Sequence, residues 1–332
     1  MNNSNNNTIS GFDLLKFLMA LVVVNIHLQL KHYANGTPFA IAWNFINELA
    51  VPVFFVLSSF FLFKKMRGGT HSINKGRLFR YESRLLHLYL FWIVALSPVI
   101  LFYWHREYLE SPLIGALLFV KNFFFAYEFG ASWFFGALIV GVPLIYILRR
   151  MLSEKGAIVL SLIVYLYLYY ESDDKYLVEL YTEYVRIPTL SFPAGLLWIS
   201  IGAFLSNNRI IDYVSKTRIS SFAIGGGIFI ILGIIFHHCD YIFRIPSVLF
   251  IIYVYWKIRI QNENVCKRMR IYSTHFFCLH FSIIVVLKRF HDVYFDSKIM
   301  LGLETMVLCF IISNLLLYLM RHKYLSWIKY SY

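Results

Sequence analysis

The chain has 332 residues, of which 59% are hydrophobic and 15% are charged. An ordinary soluble domain has about 25% charged residues, so this composition excludes a soluble globular enzyme and a disordered chain. A net charge of +13 would suggest nucleic-acid binding in a soluble domain. Here the basic residues lie in short segments between apolar runs, where membrane topology explains them, and we expect no nucleic-acid partner.

Ten apolar runs predict an all-α fold, a polytopic membrane helical bundle with about ten transmembrane helices. A hydrocarbon core about 30 Å thick needs about 20 apolar residues in each helical span. The runs lie near residues 12–30, 41–63, 85–104, 132–148, 156–170, 188–205, 219–237, 245–260, 271–289 and 299–319. The apolar stretch 113–127 contains Lys121, and we interpret it as an interfacial or partly inserted segment.

Lys and Arg residues are concentrated in segments that alternate along the chain with less basic ones. These segments are 64–84, 149–155, 206–218, 257–270 and 321–332. Cytoplasmic segments carry an excess of Lys and Arg, so we predict a multi-pass protein of the inner (cytoplasmic) membrane with both termini in the cytoplasm. One membrane-embedded domain is expected to cover 1–332, with a disordered polar N-terminus at 1–11 and a short cytoplasmic tail at 320–332.

Two polar residues share one face of the first span. His27 follows Lys16 by 11 residues, which places the two side chains within about 20° of each other around the helix and roughly 16 Å apart along it. An imidazole can accept a proton from a hydroxyl near neutral pH, so His27 is either a structural hydrogen-bonding residue or a catalytic base. Lys16 either pairs with Asp13 or extends to the cytoplasmic surface.

Further candidates follow the first span. Glu48, at the outer end of the second span, is either a solvated residue at the mouth of the bundle or a group that orients an imidazole or a sugar hydroxyl. Arg77, Arg80 and Arg84 belong to the basic segment 64–84. That segment either reflects topology and contact with anionic lipid, or forms a cytoplasmic phosphate clamp, because guanidinium groups bind phosphates in a bidentate manner.

Trp133 and His280 are weaker candidates later in the chain. Trp133 opens the fourth span, where it either anchors the helix at the interface or contacts a substrate. His275 and His280 are five residues apart and do not share a helix face well, which argues against a metal site. The four cysteines match no metal or disulfide pattern, so we expect no bound metal.

The motifs, taken in order, resemble the acyltransferase-3 family of membrane acyltransferases, which includes bacterial polysaccharide O-acetyltransferases. FDLLKFLMALVVVNIH (12–27) has the family's basic residue, ten intervening residues and histidine, here Lys16 and His27. AVPVFFVLSSFFLFKK (50–65) is similar to the family's second span, with Ser59 where the family usually has Gly. The other matching motifs are GRLFRYESRLLHLYLFW (76–92), SWFFGALIV (132–140) and STHFFCLHF (273–281).

The resemblance implies an acyl-CoA-dependent O-acyltransferase. Such an enzyme takes an acetyl group from cytoplasmic acetyl-CoA and moves it to a hydroxyl of a cell-surface polysaccharide or its lipid-linked precursor, as in O-antigen (lipopolysaccharide) or capsule O-acetylation. Its partners would be acyl-CoA, a carbohydrate acceptor and membrane lipid. The alternative is a membrane transporter or a flippase of a sugar-linked lipid, with no acyl transfer.

The resemblance also implies roles for individual residues. His27 would be the essential histidine, acting as general base or as a transient acyl carrier, with Lys16 as its basic partner. Glu48 would orient His27 or the acceptor. The expected CoA-binding residues are Arg77 and Arg80 (the family's R-x-x-R pair), Arg84 and Lys16, and the expected acceptor contacts are Trp133 and His280.

Overall fold

The computed structural model describes residues 9–28, 37–170, 176–184, 187–218, 220–294 and 298–332. Every regular element in these ranges is helical, which confirms the predicted all-α class. The α-helices are α1 (Ser10–His27), α2 (Pro38–Glu48), α3 (Ala50–Met66), α4 (His71–Ala95), α5 (Ser97–Val99), α6 (Pro112–Phe124), α7 (Ser132–Met151), α8 (Ser153–Tyr169), α9 (Tyr176–Tyr184), α10 (Phe192–Leu205), α11 (Asn208–Lys216), α12 (Ser220–Ile235), α13 (Asp240–Lys257), α14 (Glu263–Tyr294) and α15 (Lys298–Leu319).

Six helical stretches in the described residues are long and apolar enough to cross a membrane. They are Ser10–His27, Pro38–Met66, Ser132–Met151, His237–Lys257, Glu263–Phe290 and Ile299–Leu319. A seventh crossing results if α4 and the helical turn after it form one bent span. Shorter apolar helices add Pro112–Phe124, Phe192–Leu205 and Gly225–Ile235. The chain therefore has the features of a membrane protein, while the count of about ten spans and the cytoplasmic termini stay predictions.

The third predicted span, 85–104, is not one straight helix. The helix bends by 61° between His71–Ala95 and Ser97–Tyr103, because Pro98 has no backbone N–H to donate and disfavours helical backbone in the residue before it. The helix also begins much earlier than expected, at His71, where the Thr70 hydroxyl accepts a hydrogen bond from the Ile73 amide. Most of the basic segment expected to be a loop is therefore helical.

The stretch predicted to be interfacial forms the short helix α6. It has 13 residues, about 20 Å at 1.5 Å per residue, which is less than the thickness of a hydrocarbon core. Leu113, Leu117 and Phe124 are all exposed on its surface. The length of α6 agrees with an interfacial or partly inserted position.

Both ends of the described chain pack into the bundle. Residues 1–8 lie outside the described residues, but α1 already begins at Ser10. Gly11 is buried so closely that a Cβ there would collide with the Tyr255 carbonyl of α13. The expected disorder therefore does not extend to residue 11.

The predicted cytoplasmic tail is folded against the helices. Lys323–Ser331 forms a 3-10 helix. The indole of Trp92 donates to the Ser331 carbonyl at 3.1 Å, and the Ser331 hydroxyl lies 2.9 Å from His275 Nε2. These contacts join the tail to α4 and α14.

The first helix runs parallel to α14. At one end the Arg270 guanidinium donates two hydrogen bonds to the buried carboxylate of Asp13, at 3.0 and 2.8 Å. Further along, the Phe17 ring contacts Tyr272 and Phe276. The parallel contacts continue to the C-terminal end of α1, where His27 meets His280 in the middle of α14.

A glycine lets α3 and α10 approach closely. Ser59 of α3 is fully buried, and its hydroxyl donates to the backbone carbonyls of Phe55 and Val56 in its own helix. A Cβ on Gly202 of α10 would collide with the Ser59 hydroxyl and the Val56 carbonyl. Small residues at helix interfaces allow this kind of backbone approach. The small residue at this contact is Gly202, on the helix that faces Ser59.

We predict that Gly202→Ala destabilises the protein. The added methyl group forces α3 and α10 apart, and overpacking of this kind costs about 1–3 kcal/mol. The measurement is the melting temperature in detergent, which should fall. Gly225→Ala is the matched control, because Gly225 lies within a helix and a Cβ there meets nothing within 4 Å. Alanine favours helix over glycine, so this control should melt at or above the wild-type temperature. A Gly202→Ala protein that melts no lower than the control would contradict the prediction.

Candidate functional site

A cavity of about 200 Å³ lies at the C-terminal end of α1. Four residues singled out from the sequence line it together: His27, Glu48, Trp133 and His280. They come from four different helices, so the fold assembles what the sequence shows only as separate positions. The rest of the polar and aromatic wall includes Asn47, Tyr165, Tyr169, Trp198 and Arg244. We call this the histidine cavity.

Two imidazoles face each other in the histidine cavity. The ring centroids of His27 and His280 are 5.1 Å apart, with the ring planes 34° from parallel. The Phe281 ring packs edge-on against His27 at 4.4 Å. Gly130 leaves room for Phe281, because a Cβ at residue 130 would collide with that ring. The position of His27 is thus set by α14 as well as by its own helix.

The hydrogen bonding of His280 determines its tautomer. Its Nδ1 lies 2.8 Å from the Phe276 carbonyl oxygen. A carbonyl can only accept, so Nδ1 carries the hydrogen and Nε2 of the neutral ring keeps a free lone pair. The residue is 1% exposed. The structure therefore gives this histidine, expected only as a substrate contact, a basic nitrogen inside the cavity wall.

Three residues of the cavity wall carry buried polar atoms without a hydrogen-bond partner among the described residues. These atoms are His280 Nε2, Asn47 Oδ1 and Arg244 Nε. Buried unpaired polar groups are uncommon and cost free energy. Two hydrogen-bond acceptors and one donor around one cavity indicate that a polar ligand or water completes them.

Glu48 pairs with an arginine. Its Oε2 lies 3.3 Å from Arg244 Nη1, and Arg244 Nη2 also donates to both carboxylate oxygens of Asp240, at 2.9 and 3.0 Å. The guanidinium lies over the Tyr169 ring at 5.3 Å. Glu48 therefore lines the cavity as a half-exposed residue, and its hydrogen bond orients Arg244 and not His27.

Arg244 is the residue that the sequence analysis missed. It lies on α13 with Asp240 four residues before it, at the edge of an apolar run. An acidic and a basic residue at this spacing share a helix face, and a charged residue at the edge of a span is a candidate for function. The pair Asp240 and Arg244 is therefore the sequence pattern from which this residue could have been predicted.

Lys16 lies outside the wall of the histidine cavity. Its ammonium nitrogen is 4.8 Å from the centre of the Phe61 ring. The suggested pair with Asp13 is replaced by the bidentate Asp13–Arg270 pair. Asp13, Arg270 and Arg84 are all close enough to Lys16 to interact with it electrostatically. Lys16 thus belongs to a charged cluster at the opposite end of α1 from His27.

The three arginines expected to hold CoA lie between the N-terminal turn and the middle of α4. Arg77 Nη1 donates to the Lys65 carbonyl and to Asn74 Oδ1, and Arg80 Nε donates to the Gly76 carbonyl at 3.2 Å. Arg80 and Arg84 are exposed. None of these three arginines belongs to the wall of the histidine cavity.

A second cavity, of about 400 Å³, lies at the other ends of α3 and α7. Phe55 and Trp133 line the histidine cavity, whereas Phe63 and Tyr146 of the same two helices line the second one. The helical rise separates these positions by about 12 Å along α3 and about 20 Å along α7. The two cavities therefore lie toward opposite ends of α3 and α7. Most of the polar wall of the second cavity is made up of five charged or titratable side chains: Arg67, His71, Arg149, Arg150 and Glu154.

No group of three or more His, Cys, Asp or Glu side chains that could hold a metal ion occurs within the described residues.

A buried carboxyl lies just behind the histidine cavity. Glu128 is fully buried, two residues before Gly130 of the cavity wall. The Tyr108 hydroxyl lies 3.5 Å from both its oxygens and itself accepts a hydrogen bond from Asn122. Burial raises the pKa of Glu128 to about 7, so this carboxyl takes up a proton on folding below neutral pH.

Comparisons with known proteins give one family match that covers most of the chain. The acyltransferase-3 family model, described as "Acyltransferase domain", matches residues 9–319. Two curated proteins of Enterococcus faecalis, each named "Amino-acid racemase", are 28% identical over 165 residues and 24% identical over 163 residues. The matched regions cover 47% and 48% of this chain, but 22% and 21% of those proteins. The chain thus spans about a fifth of the length of the curated relatives it matches. No solved structure matches.

We predict that Glu128→Gln makes stability less dependent on pH. The folded-state pKa of Glu128, about 7, lies above the ordinary value of 4.5 for a glutamate, so the stability linked to this proton is complete below about pH 4.5 and is lost as pH rises to about 7. Each unit of pKa shift corresponds to about 1.4 kcal/mol. The measurement is the melting temperature from pH 5 to pH 8, where the variant should gain on wild type as pH rises. Glu110→Gln, at an exposed carboxyl, is the control. Parallel curves for wild type and Glu128→Gln would contradict the prediction.

Proposed function

The chain belongs to the acyltransferase-3 family of membrane acyltransferases, and from that premise we propose that it transfers an acyl group from acyl-CoA to a hydroxyl in the histidine cavity. The observation that carries the proposal is the facing pair His27 and His280, with the unpartnered Nε2 of His280 inside the cavity wall. The proposed donor is cytoplasmic acetyl-CoA. The proposed acceptor is a cell-surface polysaccharide or its lipid-linked precursor, and the proposed location is the inner membrane.

The chemistry needs one proton acceptor and one binding site for the nucleophile. The acceptor hydroxyl oxygen forms a bond to the thioester carbonyl carbon, the carbon–sulfur bond breaks, and the hydroxyl proton passes to an imidazole and then to the leaving thiolate. We assign proton transfer to His27, in the role of general base. His280 Nε2 accepts a hydrogen bond from the acceptor and holds it beside His27.

The wall of the histidine cavity supports a hydroxyl-rich acceptor. Flat apolar surfaces come from four aromatic side chains, Trp133, Trp198, Tyr165 and Tyr169. Asn47 Oδ1 provides a hydrogen-bond acceptor and Arg244 Nε a hydrogen-bond donor, and neither atom has a partner in the described chain. Mostly apolar walls with a few placed polar groups are typical of small-molecule sites. The Arg244 charge is already matched by Glu48 and Asp240, which favours a neutral acceptor over an anionic one.

We predict that His27→Ala and His280→Ala each abolish most acyl transfer. Loss of a general base costs about 10²–10⁴-fold in rate, and loss of the group that holds the acceptor should reduce transfer as well. The measurement uses membranes with matched expression, radiolabelled acetyl-CoA and crude envelope glycan, and counts label in the glycan fraction. His238→Ala, at an exposed histidine, is the control and should transfer at the wild-type rate.

Two outcomes would contradict this account. Undiminished transfer by both variants would remove the histidine pair from the chemistry. If wild type shows no transfer above empty membranes with the native host's glycan and several acyl-CoAs, the transporter or flippase alternative would replace the acyltransferase.

A further inference from the structure

Three arginines from two helical hairpins surround the second cavity. Arg67 follows α3, and Arg149 and Arg150 lie in the last turn of α7. With His71, Tyr146 and Glu154 they line a space of about 400 Å³, which we call the basic cavity. Both segments belong to the side that the sequence predicts to be cytoplasmic.

The basic cavity carries excess positive charge. A single carboxylate oxygen, Glu154 Oε1, accepts hydrogen bonds from Arg67 Nη2 at 2.7 Å and from Arg149 Nη2 at 2.6 Å. Three guanidinium groups therefore face one carboxylate in this wall. Arg149 Nε is buried and has no partner among the described residues. The site is thus short of anionic oxygen atoms.

Two of the three arginines, Arg67 and Arg149, are partly buried and held in place by the surrounding protein. Arg67 also donates to the Ala203 carbonyl at 3.1 Å, and Arg149 lies over the Phe63 ring at 4.7 Å. Membrane topology needs only positive charge on the cytoplasmic side, which exposed side chains such as Arg80 provide at no cost of burial. Partly buried guanidinium groups fixed around a space are typical of a binding site.

Two helix N-termini add to the positive potential. α4 begins at His71 and α8 begins at Ser153, and residues of both first turns line the basic cavity. The N-terminus of a helix carries a partial positive charge and free N–H groups, and it favours phosphate. The stacked rings of His71 and Tyr146, 6.3 Å apart and 7° from parallel, offer a flat surface nearby.

We propose that the basic cavity binds phosphate groups, and that these belong to the nucleotide end of the acyl-CoA donor. The proposal rests on the proposed function for the identity of the donor. It moves the donor site from the exposed arginines of α4 to Arg67, Arg149 and Arg150. The thioester end then extends along α3 and α7 toward the histidine cavity. Phosphate of an anionic lipid headgroup is the other source of the same chemistry, and the test separates the two.

The test measures binding of CoA to the purified full-length protein in a neutral detergent, without acceptor. Arg149→Gln and Arg150→Gln should each weaken CoA binding at least tenfold, because charge-assisted phosphate contacts are lost. CoA without its 3′-phosphate should bind more weakly to wild type. Arg106→Gln, at an exposed arginine outside both cavities, is the control and should bind CoA as wild type does.

Parallel titrations with short-chain phosphatidylglycerol identify the source of phosphate. If the two cavity variants lose lipid binding but keep CoA binding, the cavity is a lipid site and the proposal is wrong. If Arg80→Gln weakens CoA binding and the cavity variants do not, the donor binds the exposed face of α4. Arg149 also holds Glu154, so the melting temperature of each variant is recorded. Arg150 is exposed, and in the described residues the ion pairs of Glu154 are with Arg67 and Arg149, which makes Arg150 the decisive variant if Arg149→Gln fails to fold.

The binding assay distinguishes this proposal from the proposed function. Arginine-dependent CoA binding without acyl transfer would support the basic cavity and contradict the acyltransferase assignment. If Arg149→Gln and Arg150→Gln transfer acyl groups with an unchanged KM for acetyl-CoA, the acyltransferase assignment is supported and the donor site in the basic cavity is contradicted.

Discussion

The ion pair between Asp13 and Arg270 is the constraint on which the histidine cavity depends. Asp13 is buried and receives two hydrogen bonds from the half-exposed guanidinium, so removing Arg270 leaves a costly unpaired carboxylate. The pair fixes the register of α1 along α14. About 21 Å further along α1, His27 ends the helix and meets His280 of α14. A charged contact at one end thus positions the two imidazoles at the other.

The bundle has two cavities with polar walls, one toward each end of α3 and α7. The histidine cavity and the basic cavity share α3 and α7 as walls, and the buried contact of Ser59 with Gly202 lies on α3 between them. Ionisable side chains are expensive inside a membrane and therefore lie where they are paired or used. This arrangement suits a reaction whose donor and acceptor reach the protein from opposite sides.

The sequence was enough to predict the helical class and to single out His27, Glu48, Trp133 and His280. Helical periodicity shows which residues share a face of one helix, but it does not show which helices meet, so the sequence could not place these four in one cavity. For the same reason, the basic cavity could not be predicted from the sequence. Arg149 and Arg150 match a simple topological signal, and only the fold brings them to Arg67. The break of α4 was readable from Pro98.

One of the two alternatives for Lys16, an ion pair with Asp13, does not form, and the reason is physical. Lys16 and Asp13 are three residues apart, which allows an ion pair along one helix, yet Asp13 pairs with Arg270. The planar guanidinium makes two parallel hydrogen bonds to a carboxylate, whereas an ammonium acts as a point charge. Lys16 instead lies over Phe61.

The most direct test of the account is a cryo-electron microscopy structure of the protein with a non-hydrolysable acyl-CoA. We predict density for the nucleotide phosphates against Arg149 and Arg150, with the acyl end extending toward His27. Nucleotide density on the exposed face of α4, or an acyl end directed away from the histidine cavity, would contradict the account.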